Sequence, residues 1–346
     1  MKNTRQNFVA SRLSASRLSA LAVSFFVTAA QASAQSLFAT QVIGSNTNGN
    51  AGGGIFAPGN ALGAPNGATG VHSLGLGGDL TLGFALPIVD GPGADLIVGE
   101  NPFRLTTGGW DTFAEMMFVE VSSDGVHFAR FPSRYFGEPV QPGPFGTVQV
   151  GTYSNLAGQT PVLALTPNVD SQDVVDAGGD AFDLADLAAD PLVGNGLVDL
   201  QAITQVRLVD VQSGLSLDSR GTPIFDPGSG SADVDAVTVI HQQGLVPANA
   251  PRVSLSVQVD GTVALRIEDP DGWQDLDPAS LRAALFGIPV DAGALLGTLV
   301  LQQADAQGFT LVQPLALPSS LLFSVAFSLK DRAGNRSGLS KSRPTS

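Results

Sequence analysis

The sequence predicts an all-β protein, a jelly-roll β-sandwich followed by a smaller immunoglobulin-like β-sandwich. Glycine and proline are abundant, 41 and 22 of 346 residues, while hydrophobic residues keep an ordinary 43% share. That combination belongs to a turn-rich folded chain rather than a disordered one. The acids are also chosen for turns: Glu stands only at positions 100, 115, 120, 138 and 268, and every other acid is Asp. Asp suits turns and tight oxygen cages, whereas Glu suits helices. Short runs of alternating apolar residues recur between turn signals, as strands do.

Residues 1–34 read as a secretory signal peptide. Lys2, Arg5, Arg12 and Arg17 form a basic region without acids, Leu18 to Ala30 an apolar run, and Ala32-Ser33-Ala34 a small-residue cleavage pattern. The apolar run falls short of the roughly 20 residues a bilayer requires. Nothing later reaches that length, so the expected mature chain is soluble: secreted, periplasmic or at the cell surface, with no transmembrane segment and no visible anchor. There is no Cys, so the fold must stand on its core and any bound ions.

The first domain, 35–244, opens on a Gly- and Asn-rich stretch from Gly44 to Gly70. Strands are expected at Leu80 to Phe84, Ala94 to Val98, Phe118 to Ser122, Val148 to Val150, Val206 to Asp210 and Ala236 to Ile240. Asp90-Gly-Pro-Gly93, Ser123-Asp-Gly125 and Asp226-Pro-Gly228 turn the chain between them. One helical turn is expected at Asp183 to Ala189, capped by an Asp. Residues 245–251 have linker composition, with two prolines. A second domain, 252–335, has strand patterns at Val253 to Val259, Val263 to Ile267, Leu281 to Phe286, Leu295 to Leu301, Phe309 to Val312 and Leu321 to Leu329, which suits an immunoglobulin-like sandwich. Residues 336–346 read as a polar tail.

The formal charge is −14, and loss of the four basic signal residues takes it to −18. Such a surface repels nucleic acid and anionic membranes and favours cations or neutral ligands. The acid concentrates between Asp170 and Asp190: Asp173, Asp176, Asp180, Asp183 and Asp186 also fall there, and no Lys or Arg occurs between Arg134 and Arg207. Clustered carboxylates stay folded only if spread, protonated or bound to a cation.

The order Ala61-Leu-Gly-Ala-Pro-Asn66, Gly77-Gly-Asp-Leu-Thr-Leu-Gly-Phe84, Asp90-Gly-Pro-Gly-Ala-Asp-Leu96, Glu100-Asn-Pro102, Phe118-Val-Glu-Val-Ser-Ser-Asp-Gly-Val-His-Phe128 and Ser231-Ala-Asp-Val-Asp-Ala-Val237 resembles a group of secreted bacterial proteins labelled only "cell surface protein". The resemblance covers about residues 38–243. It implies a discoidin-like (galactose-binding-like) jelly roll and a surface location, and it makes Asp95 and Glu100 orienting or ligand groups. The group supplies no biochemical activity to carry over. Asp269-Pro-Asp-Gly272, Asp275-Leu-Asp-Pro278 and Phe327-Ser-Leu-Lys-Asp-Arg-Ala-Gly-Asn335 resemble bacterial immunoglobulin- or cadherin-like modules, which act as spacers or adhesion repeats.

Calcium takes six to eight oxygens from carboxylates and loop carbonyls. Asp176, Asp180 and Asp183 stand on a loop where Gly178 and Gly179 let the backbone turn inward. Asp233 and Asp235 alternate on a strand, which places both on one face. These five are the expected metal ligands, with calcium the expected cofactor. Asp269-Pro-Asp271-Gly-Trp-Gln-Asp275-Leu-Asp277 can also wrap a cation, although it equally reads as an ordinary turn.

Trp110, between glycines and Asp111, is the expected ligand-contact residue. Phe103, Tyr135 and Phe136 lie in neighbouring loops, and an aromatic face suits a sugar. No Gly-x-Ser-x-Gly elbow, His-Glu-x-x-His helix or phosphate loop occurs. His72, His127 and His241 are scattered. The expectation is therefore a non-enzymatic, calcium-stabilised binding or adhesion protein, with an extracellular glycan or cell-surface component as partner. A structural surface-layer or matrix component is the alternative, and a secreted hydrolase ranks behind both.

Overall fold

The computed structural model describes residues 37–48, 56–67, 70–104, 111–228, 230–257, 262–313 and 324–342. Residues 1–34, expected to be a signal peptide, and Trp110 lie outside them. The chain is all-β, in antiparallel sheets with two short α-helices among the described residues.

Its first part contains β1 (Gln41–Asn46), β2 (His72–Ser73), β3 (Asp79–Ile88), β4 (Leu96–Glu100), β5 (Phe103–Arg104), β6 (Asp111–Phe113), β7 (Met117–Ser122), β8 (Ala129–Arg130) and β9 (Arg134–Tyr135). There follow β10 (Val148–Gln149), β11 (Tyr153–Ser154), β12 (Asp180–Phe182), β13 (Ile203–Asp210) and β14 (Asp233–Val239). One sheet has the order β1-β3-β13-β7-β8 and the facing sheet β12-β4-β14-β2. Leu80, Leu82, Val119, Val121, Val206 and Leu208 from the first meet Leu96, Val98, Phe182, Val234, Val237 and Val239 from the second in one core. β13 shows how the sequence achieves this: Ile203, Val206, Leu208 and Asp210 turn inward while the residues between them are half-exposed. The expected helical turn is a 3-10 turn, Leu184–Leu187, whose first amides are capped by the Asp183 side chain.

The second part contains β15 (Arg252–Val257), β16 (Val263–Glu268), β17 (Leu276–Leu285), β18 (Ile288–Val290), β19 (Val300–Ala304), β20 (Gly308–Val312), β21 (Ser324–Asp331) and β22 (Arg336–Ser342). Sheets β15-β16-β20-β19 and β18-β17-β21-β22 enclose Val253, Leu265, Ile267, Phe327, Leu329 and Leu339. Two expectations change here. The run Leu295 to Leu301 is split: Asp291 caps a short helix, Ala292–Leu296, and the strand begins only at Val300. Residues 336–342, read as part of a polar tail, pair with β21 from Lys330↔Arg336 to Ser324↔Ser342 and bury Leu339. The polar residues of that strand have partners that no local pattern reveals.

Those partners lie in the acidic stretch. Residues 37–346 form one compact unit, because the second sandwich packs against the segment from Asp170 to Asp186. Asp170 accepts from Lys330 at 2.9 Å and from Arg336 at 2.8 Å. Asp173 accepts from Ser328 at 2.7 Å, Asp186 pairs with Lys341, and Asp176 lies 3.8 Å from Arg282. Ala94, Ile97, Val174, Val175 and Ala177 pack against Ala284 beneath them. The cations that meet Asp170, Asp176 and Asp186 are thus side chains from roughly 100 to 170 residues downstream.

Burial alone would raise the Asp170 carboxyl, but Arg336 and Lys330 outweigh it and hold it at about 2. A depressed folded value stabilises above the unfolded range and is lost as pH falls from about 4 to about 2. Asp170→Ala is expected to remove this pair of charge-assisted contacts, costing about 1–2 kcal/mol at neutral pH. Calorimetry should then show the two sandwiches unfolding less cooperatively. An unchanged single transition would mean that the apolar layer alone couples them.

Candidate functional site

Acids without a Lys or Arg ion-pair partner among the described residues gather at the two ends of the first sandwich. β4 runs from Leu96, opposite Val239 and Phe182, to Glu100, opposite Val234. Asp183 therefore lies beyond one end of this strand and Asp233 beyond the other.

At the Glu100 end, Glu100, Glu115, Asp210, Asp226 and Asp233 act on one another, and Asp235 makes a sixth carboxylate on the same strand as Asp233. Glu100, 3% exposed, accepts from the Asp233 amide at 3.1 Å through Oε1, and its buried Oε2 has no partner. Asp233 accepts from Ser73. β14 bulges between Val234 and Ala236, so Asp235 has separate partners, the Asn66 and Gly67 amides at 2.8 and 2.9 Å. Asp210 caps the Gly77 and Ala232 amides at 2.8 and 3.0 Å. Asp226 accepts from the Met116 amide at 3.0 Å through Oδ2, and its Oδ1 is buried without a partner. Glu115 likewise has a buried, unpartnered Oε1.

Burial, then the neighbouring Asp233, Asp210 and Asp226, pushes Glu115 up to about 8. Burial takes Asp210 and Asp226 to about 7 and raises Glu100 well above the carboxylate range. None of the six meets a Lys or Arg in an ion pair among the described residues. Such a pole is neutral through protons or through a cation.

At the opposite end, Asp90, Asp95 and Asp183 each place one carboxylate oxygen within 4.8 Å of the others. Asp95 is wholly buried; it accepts from the Gly91 and Leu184 amides at 2.8 and 2.7 Å and from His241 Nδ1 at 2.7 Å. Burial lowers His241 to about 4, so the ring is neutral, while Asp183 is raised to about 7 by burial and by Asp95 and Asp186.

The five expected metal ligands do not form one cage. Asp183 joins the triad just described, whereas Asp233 and Asp235 stand at the other pole. Asp180 accepts from the Gly158 and Gln159 amides at 2.8 Å each and from Thr160 at 3.4 Å. Asp176 is on the side of the second sandwich, facing Arg282. Gly178 and Gly179 do turn the backbone inward with φ of +66° and +70°, and a Cβ there would strike the Pro161 and Val98 carbonyls at 2.1 and 2.8 Å. The turn delivers Asp180 to backbone amides. Sequence reasoning did not single out Glu115, Asp210 or Asp90. A usable signal was present: Glu115 interrupts Phe113-Ala-Glu-Met-Met-Phe118, where a solvated acid has no place.

A cleft of about 400 Å³ opens in the same sandwich, lined by Tyr135, Phe136, Val148, Phe225, Glu138 and Gln149 among others. The Tyr135 ring lies 5.3 Å from Tyr153 and 6.1 Å from Phe225, which holds it in place. Asp111, the residue after Trp110, pairs with Gln149 on the cleft wall. His72 is buried between Ser45 and the Phe56 carbonyl, and His127 is bound to Asp124 in an exposed turn. Among the described residues no helix is long and apolar enough to cross a membrane. Compared with known proteins, the chain matches no family model, no curated protein and no solved structure.

Proposed function

We propose that this chain is a non-enzymatic extracellular binding protein, calcium-stabilised at its carboxylate-rich ends, whose aromatic cleft takes a neutral glycan. The observation that carries the reading is the cleft: Tyr135, Phe136 and Phe225 line it together with the exposed Glu138 and Gln149. Apolar faces of a sugar stack on rings while its hydroxyls need acceptors and donors at the edge. The strongly acidic surface favours a neutral ligand over nucleic acid or an anionic membrane. The resemblance to secreted cell-surface proteins supports the location.

The test is calorimetric titration of the full chain with a panel of neutral oligosaccharides. A hit should lose about tenfold in affinity, about 1.4 kcal/mol, in Phe136→Ala and in Gln149→Ala. Unchanged affinity in both variants, or no hit across the panel, removes the glycan reading.

A structural surface-layer role has its own support. β19 is an edge strand exposed along its whole length, with Val300 and Leu301 52% and 59% exposed. Open edges pair with other chains. Calcium-dependent ordered assembly in sedimentation, abolished by Leu301→Lys, would favour that role instead.

A further inference from the structure

The loop that follows β16 carries a third group of acids, separate from both poles of the first sandwich. One carboxylate oxygen from each of Asp269, Asp271 and Asp275 lies within 4.8 Å of the others. Closeness of three acids alone indicates nothing, since turns rich in Asp are common. The state of Asp269 is the second observation. Its side chain has no solvent exposure; Oδ1 accepts from the Asp271 amide at 2.8 Å, and the enclosed Oδ2 has no hydrogen-bond partner. A carboxylate oxygen removed from water without a donor is strongly disfavoured unless a proton or a cation neutralises it.

The surroundings make the deficit worse. The charges acting on Asp269 come from the carboxylates of Asp275, Asp331 and Asp271. Asp331 is itself buried, and both its oxygens are engaged by Asn335. The nearby Arg266 is committed to Glu268 and Asp305. Among the described residues, none of the three acids has a Lys or Arg in an ion pair.

We propose that Asp269, Asp271 and Asp275 hold a divalent cation at the head of the second sandwich. An oxygen-only donor set on a partly exposed loop suits calcium, with water completing the shell. The site also reaches the connection between the sandwiches. Asn249, in the segment 245–251, donates to Asp271 Oδ2 at 2.6 Å. A bound ion would therefore tie that segment to the second sandwich. This site is independent of the glycan cleft and of the acids at either pole, and it stands if either of those readings fails.

Terbium tests it, because Trp273 lies inside the loop, 46% exposed and two residues from both Asp271 and Asp275. Titrating terbium into the full chain under tryptophan excitation should give sensitised emission that calcium displaces. Trp273→Phe should abolish that emission. Asp271→Asn and Asp275→Asn alter side chains that are not fully buried, so the fold should persist, and each should weaken terbium by about tenfold or more. Glu115→Gln and Asp183→Asn, at the two poles of the first sandwich, should leave the Trp273 signal unchanged. Absence of Trp273-dependent emission, or emission that survives Asp271→Asn combined with Asp275→Asn, overturns the proposal.

Discussion

Asp180→Ala is expected to lower the melting temperature on the order of 5–10 °C, by the same amount in calcium and in EDTA. The side chain is almost wholly buried, and one of its oxygens accepts from the Gly158, Gln159 and Thr160 amides. Alanine leaves those donors in a dry interior, at a cost of about 3–5 kcal/mol. In a unit of this size each kcal/mol shifts the midpoint by about 2 °C. Gly158 makes the site unforgiving, since its φ is +108° and a Cβ would strike the Glu115 carbonyl at 2.1 Å. Asp180→Asn keeps one acceptor oxygen and should recover part of the loss. Thermal scans of the three proteins with and without calcium check this. A loss confined to the calcium arm would instead make Asp180 a metal ligand.

The second large effect is a pH dependence of unusual sign. In EDTA, stability is expected to fall as pH rises from about 5 to about 8. Glu115 is raised to about 8, and Asp210 and Asp226 to about 7, burial being the first cause in each case. Folded values above the unfolded ones mean that the native state holds protons which the unfolded chain has already released. The contribution is complete below the unfolded range near 4 and disappears as pH passes through 7–8. At about 1.4 kcal/mol per unit, the coupled set amounts to several kcal/mol. Glu115→Gln, which keeps the shape without the charge, should raise the melting temperature at pH 8 and flatten the profile. Saturating calcium should flatten it as well, if the pole binds the ion in place of protons. A midpoint that rises with pH in EDTA, together with a destabilised Glu115→Gln, would contradict this account.

Particular residues show how far the sequence could be read. Leu80, Leu82, Val206 and Leu208 announce their strands because alternation is a local pattern set by the pleat. Asp183 announces its cap because the amides that it serves are its own neighbours. The split of Leu295 to Leu301 was less legible, since a short Ala-Gly-Ala-Leu-Leu run serves a helical turn or a strand alike. Asp95 stands out in the sequence only through a resemblance. Its partners Leu184 and His241 are 89 and 146 residues away, beyond the reach of any motif.

By itself, then, the sequence determined the class of structure: an all-β chain of strands and turns with a strongly negative charge. These depend on periodicity and composition, which are local or additive properties. Tertiary structure decided what each acid does. The same residue type neutralises Lys330 and Arg336 at Asp170, satisfies backbone amides at Asp180, caps a turn at Asp183 and sits unpartnered in part at Asp226 and Asp269. A carboxylate's role is set by the donors, charges and water within a few ångströms, and long-range strand pairing decides which groups those are.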